Sequence, residues 1–216
     1  MVQSINLGTA TNFAILAGSG ITNTGPTTIK GDVGTFPTAT ETGFGTITII
    51  GTNHSGDAVT QGAKNDLVIS YNDAASRIPA TTVSGDIGGQ ILIAGVYNSS
   101  SSLGITGTLT LDAQGDQNAV FIFQIGSTLT TASSSSVVLI NGAKACNVFW
   151  QVGSSATLGT GSNFQGTILA MTSITATTGA VINGRMLARD GAVTLDTNTV
   201  TATICAPTPQ RGILLW

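Results

Sequence analysis

The chain has 216 residues, of which 41 % are hydrophobic and only 8 % charged, with a net charge of -3. Hydrophobicity at this level excludes intrinsic disorder, no apolar run reaches the length of a membrane span, and seven scattered Lys and Arg leave no basic footprint for nucleic acid. The surface must be polar but nearly uncharged, covered by Thr, Ser, Asn, Gln and Gly, and the 28 glycines suit a chain with many tight corners.

Residues 5–18 read as strand material. Thr22 and Thr24 then alternate about Asn23 before a Gly25-Pro26 turn. The run Thr27-Thr28-Ile29-Lys30-Gly31-Asp32-Val33-Gly34 returns as Thr81-Thr82-Val83-Ser84-Gly85-Asp86-Ile87-Gly88. These copies bracket an insertion and are predicted to be coils brought side by side after an excursion. Residues 35–53 read as loop and short strands, because Pro37 and the Thr/Ala/Glu run after it argue against regular structure, with one strand at 44–50. A helix is predicted over about 55–77, since Ala63, Leu67, Tyr71, Ala74 and Ile78 recur at three- and four-residue steps. Ser55 or Asp57 caps it, Pro79 stops it, and it covers one flank of the fold. Strands follow at 91–94, 104–111 and 119–125, the last an apolar run suited to burial on both sides.

The second half repeats itself. Phe121-Ile122-Phe123-Gln124-Ile125-Gly126-Ser127 reappears as Val148-Phe149-Trp150-Gln151-Val152-Gly153-Ser154, and residues 163–170 reappear at 181–188, a step of about 18 residues. Between these lines lie threonine strands: Thr128 and Thr130, Thr157 and Thr160, Thr175, Thr177 and Thr178, and Thr194 and Thr197, the last group arriving about one residue late. A period this short holds two or three strands and no helix, which is one coil of a parallel β-helix. Residues i and i+2 of a strand share a face, so these threonines form ranks on one side of a solenoid, with Leu158, Ala176 and Leu195 turned inward. Thr22, Thr24, Thr106 and Thr108 are further candidates for the same surface. The reading is mainly β: a single irregular solenoid over residues 1–206, one long α-helix alongside, and an apolar tail at 207–216. Threonine also enters strands for its β-branched shape alone, so ranks by themselves do not define a function.

Little points to catalysis. A polysaccharide-active β-helix enzyme needs paired carboxylates or a calcium cluster, whereas Asp32, Asp86, Asp112, Asp116, Asp190 and Asp196 are scattered and Glu41 is the lone Glu. Asp32 and Asp86 sit in matched glycine turns, where they are expected to cap backbone N–H groups. His54 reads as a surface residue, and Arg185, Arg189 and Asp190 as a surface ion-pair cluster. No nucleophile motif, phosphate loop, metal site or cofactor is indicated. A glycan-binding or adhesive module is the competing function, though only 5 % of residues are aromatic. Cys146 and Cys205 form either a disulfide or two buried thiols. The extracellular look of the composition favours the disulfide, although no signal peptide is visible at Met1-Val2-Gln3-Ser4.

The sequence resembles the secreted ice-binding (antifreeze) proteins of cold-adapted microorganisms that share a discontinuous β-helix domain. The resemblance rests on the segments 7–17, 30–34, 71–75, 147–153, 184–188 and 192–198, and it covers essentially the whole chain. It implies a right-handed β-helix of roughly triangular section with a flanking α-helix, whose N-terminal coils join the stack out of sequence order. It also implies a secreted protein whose partner is the ice crystal surface and its ordered water, and a monomer is expected. In this family a flat β-helix face binds ice, and in bacterial members it often carries a Thr-Ala/Gly-x-Thr/Asn pattern. Thr175-Ala176-Thr177-Thr178 fits that pattern, while the ranks at 128, 157 and 194 carry Leu second, and Asp196 would place a charge on or beside the face.

Overall fold

The computed structural model describes residues 2–205, and the tail read at 207–216 lies outside them. The strands pair in parallel throughout and wind into a solenoid with three strands to a coil. One face is a ladder of short strands in the order 41–42, 20–24, 192–196, 174–176, 156–158, 129–131, 103–105 and 85–86. The second face runs 53–55, 32–35, 13–17, then the latter halves of 181–188 and 163–170, then 148–152, 121–125, 95–99 and 81–82. The third face carries 47–50, 27–30, 199–201, the first halves of 181–188 and 163–170, then 136–140, 108–112 and 91–93. Strands 163–170 and 181–188 stay in register over their whole length, Asn163 against Val181 through Ala170 against Ala188. Both bend at a stacked glycine. Gly184 has φ +156°, and a Cβ there would sit 1.8 Å from the Gly166 carbonyl oxygen, so no side chain fits this corner.

The repeat in the sequence is thus the coil itself. The late arrival of Thr194 has a local cause. Ala170 pairs with Ala188, but Ile174 pairs with Val193, so the corner at 189–192 holds one residue more than the corner at 171–173. The Thr27/Thr81 repeat behaves differently. Strands 27–30 and 32–35 lie near one end of the stack, against 47–50, 199–201, 13–17 and 53–55, whereas 81–82 and 85–86 close the other end. The two copies are not neighbours: they are alike because in each the Asp of a Gly-Asp pair accepts a backbone N–H from the adjoining coil, Thr52 N for Asp32 and Thr106 N for Asp86.

An α-helix, Ala58–Ser76, carries the chain between those two ends. Asp57 caps it, accepting the Thr60 N–H at 2.8 Å. Ala63, Leu67, Tyr71 and Ala74 are buried on the second face, but Ile78 lies beyond the helix and is exposed, so it does not extend the apolar stripe. The helix follows the stack axis, and its contacts show this directly. Lys64 Nζ donates to the carbonyls of Ala188 and Arg189, the Tyr71 hydroxyl to Val152 O, and Gln124 Nε2 to Ala74 O. From Lys64 to Tyr71 the helix rises roughly 10 Å, which matches two ladder steps of about 4.8 Å between the strands they reach.

The chain's first strand, 13–17, is slotted between two strands distant in sequence. Ile15 and Leu16 pair with Met186 and Leu187 on one side and with Val33 and Gly34 on the other. Arg185 secures this seam. It is 2 % exposed, and its Nε and Nη2 donate to Thr11 O at 2.9 and 2.7 Å. It therefore belongs to no surface ion-pair cluster, and burial pulls its guanidinium down to about 10. Arg189 instead lies over the Tyr71 ring, 5.1 Å from its centroid. A disulfide joins Cys205, beyond the last strand, to Cys146, just before strand 148–152. His54 is half-buried rather than on the surface, its ring against Phe13 and its Nδ1 2.8 Å from Asp57.

Inside the coils, Tyr97, Phe123 and Trp150 stack one above the next, and Phe164 packs against Trp150 at a tilt of 46°. The Phe123 and Trp150 centroids are 4.0 Å apart at an interplanar angle of 9°, and Trp150 Nε1 donates to Gln165 O. Parallel ladders repeat residue types in register, so like rings meet every coil. Replacing Trp150 by Ala is expected to cost about 3–5 kcal/mol of stability in urea unfolding, through the lost contacts and the cavity left in this stack. The buried Lys64 makes a second test. Burial lowers its pKa from 10.5 to about 8, with Asp190 opposing and Arg189 adding to the shift. Between those values the unfolded chain holds a proton that the folded chain lacks, so stability should rise with pH across that window. The penalty is present in full below it. Melting temperatures from pH 7.5 to 10 should show this rise in the native protein and lack this component in Lys64→Met.

Candidate ice-facing surface

The ladder of short strands forms an open face on which the register aligns one residue from each coil. Thr42 pairs with Thr22, Thr22 with Thr194, Thr194 with Thr175, Thr175 with Thr157, and Thr157 with Thr130. This threonine column spans five ladder steps, roughly 24 Å. Its members are outward-facing, exposed or half-buried, while Ile21, Val193, Ile174, Ala156 and Leu129 beside them fill the core. Among the described residues the hydroxyls of these six threonines make no hydrogen bond, so all of them are left to solvent. The column runs on into Gly104 and Asp86, where the threonines stop.

The flanking positions differ in one respect. On one side, the Thr128 hydroxyl donates to Ser102 Oγ at 2.8 Å, Ser155 Oγ accepts from Ser173 N and Ser173 Oγ from Ala192 N. On the other side, Thr177 donates to Leu158 O at 2.7 Å and Thr160 to Thr177 Oγ1 at 3.3 Å. Asp196 accepts the hydroxyls of both Thr178 and Thr197. Thr24 pairs with Asp196 and is exposed. Most flanking hydroxyls are therefore committed to the protein, and the central ones are not.

Of the positions named from sequence, Thr22, Thr130, Thr157, Thr175 and Thr194 come together in the central column. Thr24, Thr128, Thr160, Thr177, Thr178 and Thr197 flank it. Thr106 stands at a corner, its hydroxyl donating to Asp86. Thr108 does not join them, because it begins strand 108–112, which pairs with 91–93 and 136–140 on the third face. Thr42 escaped the sequence reading, since Pro37 suggested irregular chain. The alternation Thr38, Thr40, Thr42 was the available signal, and it ends in a two-residue strand.

Carboxylates mark the edges of the face. Burial raises the pKa of Asp86, but hydrogen bonds from the Thr106 hydroxyl and from the Thr106 and Gly88 N–H groups outweigh that and hold it below the ordinary value. Asp32 plays the turn-capping part expected of it too, accepting Thr52 N at 2.9 Å. The aromatic rings are mostly inside: Trp150 and Phe13, Phe121, Phe123, Phe149 and Phe164 are at most 1 % exposed, which leaves none of them as a platform for a sugar ring.

This geometry has counterparts. The sequence profile described as ice-binding-like matches residues 15–201. The chain belongs to that family. It is 54 % identical to an ice-binding protein of Nostoc sp. (strain HG1), over 95 % of this chain and 76 % of that one. It is 38 % identical to an ice-binding protein of Colwellia sp., over 96 % and 85 %. Among solved structures, an ice-binding protein from an Antarctic biological consortium superposes with a TM-score of 0.92 at 48 % identity, covering 93 % of this chain and 92 % of the other. One from the Antarctic ascomycete Antarctomyces psychrotrophicus gives 0.90 at 44 %, covering 94 % and 100 %. Family membership and the discontinuous solenoid with its flanking helix agree with the expectations drawn from sequence.

The difference between free and committed hydroxyls is measurable. Thr157→Val and Thr194→Val should each leave stability within about 0.5 kcal/mol, whereas Thr177→Val should lose about 0.5–1.5 kcal/mol with its bond to Leu158 O. Thermal or urea unfolding of the three variants checks the contrast.

Proposed function

We propose that this protein is an ice-binding, antifreeze protein that adsorbs to ice through the face built on Thr42, Thr22, Thr194, Thr175, Thr157 and Thr130. One observation carries the reading: six outward threonines at the fixed step of the ladder, none with its hydroxyl used inside the described protein. Ice presents a regular array of oxygens. Threonine offers such an array a methyl group, around which water forms cages, and a hydroxyl able to donate and accept. Its β-branched side chain has little rotamer freedom to lose, so the surface is organised before it meets ice. No Lys or Arg stands in the column to hold a hydration shell of its own.

Binding requires no chemical step, cofactor or metal. Adsorbed molecules pin the crystal surface, and ice growing between them must bulge outward, which is unfavourable. Growth slows below the melting point and large grains gain less at the expense of small ones, giving thermal hysteresis and recrystallisation inhibition. We read the protein as a monomer acting outside the cell. A low-charge surface and a disulfide between Cys146 and Cys205 suit oxidising surroundings. No helix among the described residues is long and apolar enough to cross a membrane.

Thr157→Tyr and Thr194→Tyr put a ring into the middle of the flat column. Each is expected to abolish most of the hysteresis while leaving the melting temperature of the protein unchanged. Thr199→Tyr, on the third face, should alter neither. Full hysteresis in both column variants would overturn the assignment of this face.

A further inference from the structure

Resting on that reading, we propose that Asp196 sets the width of the ice-facing surface, confining recognition to the central threonine column. In the ladder Asp196 occupies the place beside Thr24, two residues along the strand from Thr194, in the row that borders the central column. Its effect reaches beyond its own position. Oδ2 accepts the Thr178 hydroxyl at 2.5 Å and Oδ1 the Thr197 hydroxyl at 2.9 Å, so two threonines that could face outward are turned toward the carboxylate. A carboxylate only accepts hydrogen bonds, brings no methyl group, and gives up its own hydration at a high cost. Thr24 is exposed and its hydroxyl unbonded within the described residues, yet it is separated by this charge from Thr177 and Thr160, whose hydroxyls are bonded inward. The bordering row therefore carries a charge, and the central column, clear of charge from Thr42 to Thr130, makes the contact.

Two independent substitutions test this. Asp196→Thr and Asp196→Asn remove the charge, and each should raise affinity for ice roughly twofold, which is about 0.4 kcal/mol, and raise thermal hysteresis with it. Asp196→Thr should also add crystal planes to those decorated by fluorescently labelled protein on a single-crystal ice hemisphere. Thr24→Ala leaves Asp196 untouched. It should keep native hysteresis, whereas Thr22→Ala in the central column should lower it. Folded Asp196 variants with unchanged or reduced hysteresis, or a Thr24→Ala variant as impaired as Thr22→Ala, would overturn the role of Asp196. If Thr22→Ala and Thr157→Tyr also keep full hysteresis, it is the ice-facing assignment itself that fails.

Discussion

The flat face exists because of a seam. Its threonine column joins residues from the beginning and the end of the chain, and the step from Thr22 to Thr194 bridges them. That step holds register only because strand 13–17 is wedged between 185–188 and 32–35, with Arg185 reaching across to Thr11 and Lys64 gripping the carbonyls of Ala188 and Arg189. Both cations are buried at a desolvation cost, and both spend their donors on backbone carbonyls that the coil corners leave open. A slip of one residue at this place would turn every side chain of the N-terminal coils to the opposite side of its sheet. Two charged groups remote from solvent thus maintain the alignment of uncharged groups at the surface.

Flatness has a second source in the interior. Side chains of similar size recur at equivalent positions in successive coils: Phe123 under Trp150, Ile168 beside Met186, and Ile21, Val193 and Ile174 in line. Matching side chains at matching heights keep successive coils alike in girth, which favours an even outward face. The corners contribute in the same way, because Gly166 and Gly184 let two backbones pass at a separation that no Cβ allows. Committed hydroxyls along the margins tie neighbouring coils together, which leaves the central ones free without loosening the edge.

What the sequence disclosed follows from its periodicity. Where coils succeed one another along the chain, as from Val148 to Thr197, offsets of about 18 residues and the threonine ranks made both solenoid and face legible. Where neighbours in space are far apart in sequence, period gave no help. Thr42 was passed over because a two-residue strand carries almost no pattern, and its rank is set by a partner column that begins at Thr22. The Thr27/Thr81 likeness misled for the opposite reason: the same Gly-Asp pair, its carboxylate accepting an N–H from the adjoining coil, serves both ends of the stack. Arg185 looked like a surface charge because its partner, the carbonyl of Thr11, is invisible in a residue string. The same holds for Thr108, whose alternation fits any outward face of a three-sided coil.

The helix Ala58–Ser76 also acts as a ruler. It departs from the coil ending at 53–55, spans the stack and delivers the chain to the coil beginning at 81–82, so its length and the number of coils are tied. One further coil would add about 4.8 Å to the stack and call for roughly three more helical residues. The extent of the threonine face is consequently governed by a segment that lies on a different side of the molecule. A change that lengthens or shortens this surface therefore calls for a matching change in a distant stretch of the chain.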